Sequence, residues 1–248
     1  ASDNRTLFYV SKNPVTLLSE KIKRHKLGED VSKDVLVYEE KDKSNYIGVS
    51  KSKNGRYILI TSQATTSSEI KIIDASKPDD AFKIFQPRIK DVLYTVIPLS
   101  DKFLIRTNND NAKNFKLMEC PLDKTTAENW KEVIPHRTDV LLAGVSEFKD
   151  FIVLSERKQG LVQLRIKSLT ESKEHYIEFP EKAYSAYLDE NPEYNSNTLR
   201  FGYTSLTTPS SVYDYSMVSK EKKLMKQQEV LGGYNSNNYT TERLYATA

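Results

Sequence analysis

The strongest constraint on this chain is a period. Five polar turns are each followed by a compact apolar run: DNR before LFYV, NGR before YILI, SDK before FLI, KD before FIVL, and SNT before LRF. The apolar runs start at Leu7, Tyr57, Phe103, Phe151 and Leu199, at intervals of 50, 46, 48 and 48 residues. A steady repeat of about 40–50 residues is the mark of a β-propeller blade. Asp, Asn and Gly serve in the turns because they tolerate the backbone angles of tight hairpins.

Each repeat resolves into further short strands. The second reads YIGVSKS (46–52), YILITSQ (57–63), EIKIID (69–74) and FKIFQP (82–87). The third gives VLYTVIP (92–98), KFLIRT (102–107), NFKLMEC (114–120) and WKEVIP (130–135). VLLAGVSEF (140–148), FIVLSER (151–157), LVQLRIK (161–167) and HYIEF (175–179) form the fourth. Four antiparallel strands per unit is the propeller blade, so the expected class is all-β. The second strands are more uniformly apolar, as strands packed between neighbouring blades should be, whereas EIKIID alternates between a buried and a wetter face. Residues 20–26 have a helical look, but their place before DVLVYEE makes them the third strand of the first repeat. That repeat begins at its turn, so its innermost strand is missing.

Composition fits this reading and narrows function. Fifteen Tyr and nine Phe suit pleated, half-buried surfaces. A net charge of +3 is too small for an electrostatic case for nucleic acid. No apolar run approaches the ~18 residues of a membrane span. The lone Cys120 excludes an internal disulfide framework and leans toward a reducing compartment.

The chain shows no recognisable catalytic constellation. Acyl transfer to serine in hydrolase folds needs a G-x-S-x-G elbow. The nearest approach, Gly144-Val145-Ser146-Glu147-Phe148, lacks the second glycine and lies in a strand. His25, His136 and His175 sit in separate repeats with no second ligand at metal spacing, and read as polar residues of inter-blade loops. In IPHRTDV, Arg137 and Asp139 are close enough to pair as neighbours. Glu39-Glu40 and Asp79-Asp80 read as solvated pairs, because adjacent strand residues point to opposite faces. KIKRHK (21–26) is basic, but lysine-rich strands also guard against edge pairing.

The word LRFGYTSLTTPSSVYDYSMVSKEKKLMKQQEVLGGY (199–234) carries more specific information. With DVLVYEEKD (34–42), EVIPHRTDVLL (132–142), LSERKQGL (154–161) and HYIEFPE (175–181), it resembles the propeller of the oligopeptidase B group in the prolyl oligopeptidase family of serine peptidases. The words keep their order, so the resemblance covers essentially the whole chain. It implies about five blades of a seven-bladed propeller over residues 1–233. Residues 234–248 are then a linker and the start of an α/β-hydrolase domain, whose main body lies outside this sequence. ERLYATA (242–248) resembles that crossing point.

In the family the catalytic triad and the acidic groups that recognise a basic P1 residue belong to the hydrolase domain. The resemblance therefore implies no catalytic residue, cofactor or metal ligand here, and a chain inactive by itself. Its partners would be the hydrolase domain and short peptides cleaved after Arg or Lys, and its role a lid that admits only short substrates. Thr207, Thr208, Pro209 and Tyr213 are candidates for a domain interface, and Gly232 and Gly233 for a hinge. The competing expectations are a non-catalytic propeller that binds a protein or peptide, and an inert remnant of a peptidase. The expected location is cytoplasmic, with a periplasmic one as the alternative.

Overall fold

In a computed structural model the regular secondary structure of the chain is almost entirely antiparallel strand, and the structure describes residues 1–247. Ala248, the last residue of the expected linker, lies outside the described residues. Two compact units are present, Ala1–His136 and Arg137–Ala248.

The first unit holds three sheets. One is three-stranded: β1 (Thr6–Lys12), β2 (Ser19–Lys26) and β3 (Val35–Glu39). Residues 20–26 are thus strand, as expected. The next sheet runs β4 (Tyr46–Lys51), β5 (Tyr57–Gln63), β6 (Ser68–Asp74) and β7 (Lys83–Gln86) in sequence order. The third runs β8 (Tyr94–Pro98), β9 (Lys102–Thr107), β10 (Lys116–Pro121) and β11 (Lys131–Ile134). Each is a simple meander, the topology of a propeller blade.

Packing explains the apolar second strands. Ile58, Leu59 and Ile60 of β5 are all buried, because consecutive side chains go to opposite faces and both faces are covered. Ile60 meets Ile22 and Ile47, whereas Leu59 joins Phe85, Tyr94, Phe103, Ile105 and Trp130. Phe85 and Phe103 meet edge to face at 5.0 Å, a favoured geometry for aromatic pairs. Cys120 packs in the same cluster, where burial pushes its thiol up to about 12.

The second unit holds two sheets. One comprises β12 (Val140–Glu147), β13 (Phe151–Lys158), β14 (Leu161–Ser168) and β15 (Glu174–Tyr176). The other comprises β16 (Tyr184–Leu188), β17 (Thr198–Ser205), β18 (Ser211–Ser216) and β19 (Lys222–Gln227). Between them lies one core: Val153, Leu164 and Ile166 from the first sheet against Leu199, Phe201, Tyr203 and Tyr215 from the second. Gln159 (φ 48°) and Gly160 (φ 82°) make the β13–β14 hairpin, with Lys158 opposite Leu161. Two left-handed residues are what a two-residue turn of this hand requires.

Candidate functional site: a carboxylate at the blade link

The loop that carries Thr207, Thr208 and Pro209 joins β17 to β18, as a hairpin connection should. Its shape comes from Ser205, whose Oγ accepts the backbone N–H groups of Thr207 (3.0 Å) and Thr208 (2.7 Å). Pro209 has no N–H to satisfy, and its carbonyl accepts the Ser211 hydroxyl at 2.7 Å.

What organises this loop is a residue outside it. Glu181 lies in the link between β15 and β16, and its carboxylate collects hydroxyl donors. Tyr203 (2.6 Å) and Thr208 (2.8 Å) donate to Oε2, and Ser205 (2.5 Å) and Thr207 to Oε1. Burial opposes the charge, but these donors outweigh it and hold the carboxyl at about 2. The same arrangement, burial first and then the Glu181 charge, raises the Tyr203 phenol well above its usual range.

An ionised carboxylate only accepts, so it imposes a direction on the whole network. Ser205 must donate to Glu181, which leaves its lone pairs for the two loop amides. Thr207 must also donate, which leaves its oxygen to accept from Thr241 Oγ1 at 3.2 Å. Thr241 Oγ1 is also 3.5 Å from Glu181 Oε1. A chain of donors thus converges on one charge.

The segment after β19 returns to this cluster. The Gln228 amide donates to the Ser210 carbonyl at 2.8 Å, and the Tyr234 hydroxyl donates to the Thr207 carbonyl. Tyr234 stacks on Tyr239 at 5.6 Å, and Thr241 is buried. The Arg243 guanidinium then reaches the Gln159 carbonyl in the β13–β14 turn. Gly232 and Gly233 both take positive φ, 90° and 91°, with open space where a Cβ would stand. Backbone angle, not crowding, is therefore what favours glycine there.

Of the six residues singled out in the sequence, the structure brings Thr207 and Thr208 together, with Pro209 in the same loop. Tyr213 lies within β18, and its ring stacks on Phe201 at 5.4 Å. The two glycines lie on the returning segment. Glu181, Tyr203 and Tyr234 were not anticipated. The repeat itself held a signal for Glu181, because Glu40-Lys41 and Glu181-Lys182 occupy the same place after the last strand of a repeat.

Glu40 uses the same chemistry in the first unit. Its carboxylate accepts from Tyr38 (2.7 Å) and Ser62 (2.5 Å), and Arg88 Nη2 lies 3.6 Å away. Ser62 in turn accepts from Arg88 at 2.7 Å. Glu40 is therefore not the solvated carboxylate that its pairing with Glu39 suggested. Glu39 does point the other way, toward Lys21 at 3.4 Å.

The histidines also depart from expectation. His136 lies in a link, but His25 is on β2 with Nδ1 2.7 Å from Asp34, and His175 is on β15 with Nε2 2.9 Å from the Tyr215 hydroxyl. Arg137 and Asp139 do not pair with each other: Arg137 pairs with the buried Glu156 and Asp139 with Lys158. Among the described residues no group of three or more His, Cys, Asp or Glu side chains could hold a metal. No helix among them is long and apolar enough to cross a membrane. A cavity of about 720 Å³ is lined by Phe151, Ile166, His175, Met217 and Lys220 among others, and takes no residue from the Glu181 cluster.

The description "Prolyl oligopeptidase, N-terminal beta-propeller domain" fits residues 1–228 of this sequence. The chain belongs to the prolyl oligopeptidase family. It is 42% identical over all 248 residues to dipeptidyl aminopeptidase BI of Pseudoxanthomonas mexicana, of which it covers 34%. Protease 2 of Moraxella lacunata is 30% identical over 224 residues, 90% of this chain and 32% of that protein. Among solved structures, oligopeptidase B from Trypanosoma brucei, in a closed form with antipain covalently bound, superposes with a TM-score of 0.88. That match has 30% identity and covers 94% of this chain and 34% of the other. The chain thus spans about a third of the length of these relatives and corresponds to the propeller part of a serine peptidase family.

Proposed function

We propose that this chain is the lid of a serine oligopeptidase that hydrolyses short peptides after Arg or Lys. The blades gate access to an active site in an α/β-hydrolase domain, and the chain by itself does not cleave peptides. The observation that carries this reading is the family match over residues 1–228, joined to relatives about three times as long that are named as peptidases. The likeness over 94% of this chain to a structure named oligopeptidase B supports placing it in that group, and the basic-residue preference is what the resemblance to the group implies. Enclosure by rigid blades suits such a gate, because it keeps water and folded substrates from the reacting centre.

A second reading differs in substrate. The 42% identity over the whole chain favours release of dipeptides from a free amino terminus, as the name of that relative describes. The deciding assay uses this chain and the whole protein that contains it. Both are offered fluorogenic peptides ending in Arg, with blocked and with free amino termini, with and without a serine-directed covalent inhibitor. Inhibitor-sensitive cleavage of the blocked peptide by the whole protein alone supports the oligopeptidase lid. Cleavage only of unblocked dipeptide substrates moves the assignment to the aminopeptidase. No cleavage by a folded whole protein refutes both and leaves a binding scaffold.

A further inference from the structure

The segment after β19 runs through exposed residues, yet Thr241 within it is buried. A buried threonine on an otherwise exposed segment needs a local cause, and the cause is the hydroxyl chain that ends on Glu181. Glu181 fixes the Thr207 hydroxyl as a donor, so Thr207 Oγ1 is free to accept from Thr241 at 3.2 Å. The segment is tied at four places: Gln228 to Ser210, Tyr234 to Thr207, Thr241 to Thr207, and Arg243 to Gln159. Gly232 and Gly233 lie between two of these ties.

We propose that Glu181 is a positioning residue of the whole peptidase. Through the hydroxyls of Thr207 and Thr241 it clamps residues 228–241 to the fifth blade and fixes where the chain departs for the domain that follows. Gly232 and Gly233 are then a fixed bend inside a clamped strap, and the joint between domains lies after Thr241. The positioning role rests on the peptidase reading above. The clamp itself does not.

The test uses the whole protein as wild type, Thr241→Val and Thr241→Ser. Valine keeps the shape of threonine without the hydroxyl, and serine restores the hydroxyl. Hydrogen exchange of residues 234–241 reads the clamp. The ratio of kcat/KM for a short fluorogenic peptide ending in Arg to that for an unstructured polypeptide several times longer reads the positioning.

In Thr241→Val, exchange of 234–241 should rise about five- to tenfold, the loss of roughly one hydrogen bond, with β17 and β18 unchanged. The preference for the short peptide should fall as well, and Thr241→Ser should recover both. Unchanged exchange in Thr241→Val overturns the clamp. Faster exchange with an unchanged ratio overturns the positioning role. No inhibitor-sensitive turnover by the wild type refutes the peptidase reading and with it the positioning role, whereas exchange still decides the clamp.

Discussion

Replacing Glu181 by glutamine should cost this chain roughly 2 kcal/mol at pH 7, and the cost should fade in acid. The carboxyl is held at about 2 against an ordinary 4.5. At about 1.4 kcal/mol per unit this corresponds to roughly 3 kcal/mol, and partial exposure to solvent reduces it to ~2. Glutamine cannot ionise, and its NH2 group would face hydroxyls that already donate. Because folding lowers this pKa, the stabilisation is complete above about pH 4.5 and is lost as the pH falls toward 2. Urea unfolding followed by far-ultraviolet circular dichroism tests this. The variant midpoint should lie about 1 M below wild type at pH 7. At pH 3 the gap should shrink to less than half, because Glu181 of the unfolded chain is by then mostly protonated while the folded one keeps its charge. An equal gap at both pH values, or none at pH 7, refutes the account of Glu181 as the charge that orders the link.

Other positions make sharper structural demands. Glu156 is buried with Arg137, Arg165 and Tyr176 around it. Glu156→Leu leaves two guanidinium groups without that partner, and should lower stability by about 3–5 kcal/mol in a thermal melt. Gly202→Ala would put a Cβ 2.2 Å from the Tyr187 ring. A cost of about 1–2 kcal/mol is expected, and adding Tyr187→Ala should abolish it in a double-mutant cycle. Leu154 has no exposed surface. Leu154→Ala should cost about 2–5 kcal/mol, depending on how far the core collapses, measured by chemical denaturation.

The sequence exposes the strands that pack between blades far better than those at the rim. The runs at Tyr57 and Phe151 begin β5 and β13 at the residues expected, because burial on both faces leaves an unbroken apolar signal. β16 and β19 were not picked out. Every residue of β19, KKLMKQ, is exposed, so nothing drives an alternating pattern, and its lysines suit an edge strand. β15 is only three residues long. β17 extends through Gly202, where a strand signal weakens, and the ring of Tyr187 occupies the space a side chain would fill.

The site was legible only in part for a different reason. TTPSS announces a hairpin connection through its own chemistry, but the charge that orders it sits 24 to 27 residues upstream, in the link before the blade. Local pattern does not cross that distance, whereas aligning the repeats does. After the last strand of a repeat the chain carries Glu40-Lys41, Pro87-Arg88, His136-Arg137 or Glu181-Lys182. Where the link supplies a carboxylate, the following blade supplies hydroxyls: Ser62 for Glu40, and Tyr203 and Ser205 for Glu181. Where it supplies Arg137, the second strand of the following blade supplies the carboxylate of Glu156. Both solutions satisfy a buried polar junction, with opposite placement of the charge. Link residue and second-strand residue therefore form one unit. Exchanging one of them alone should fail at the Arg137–Glu156 junction, where it leaves two charges of one sign facing each other, whereas the hydroxyls at the Glu181 junction can both donate and accept.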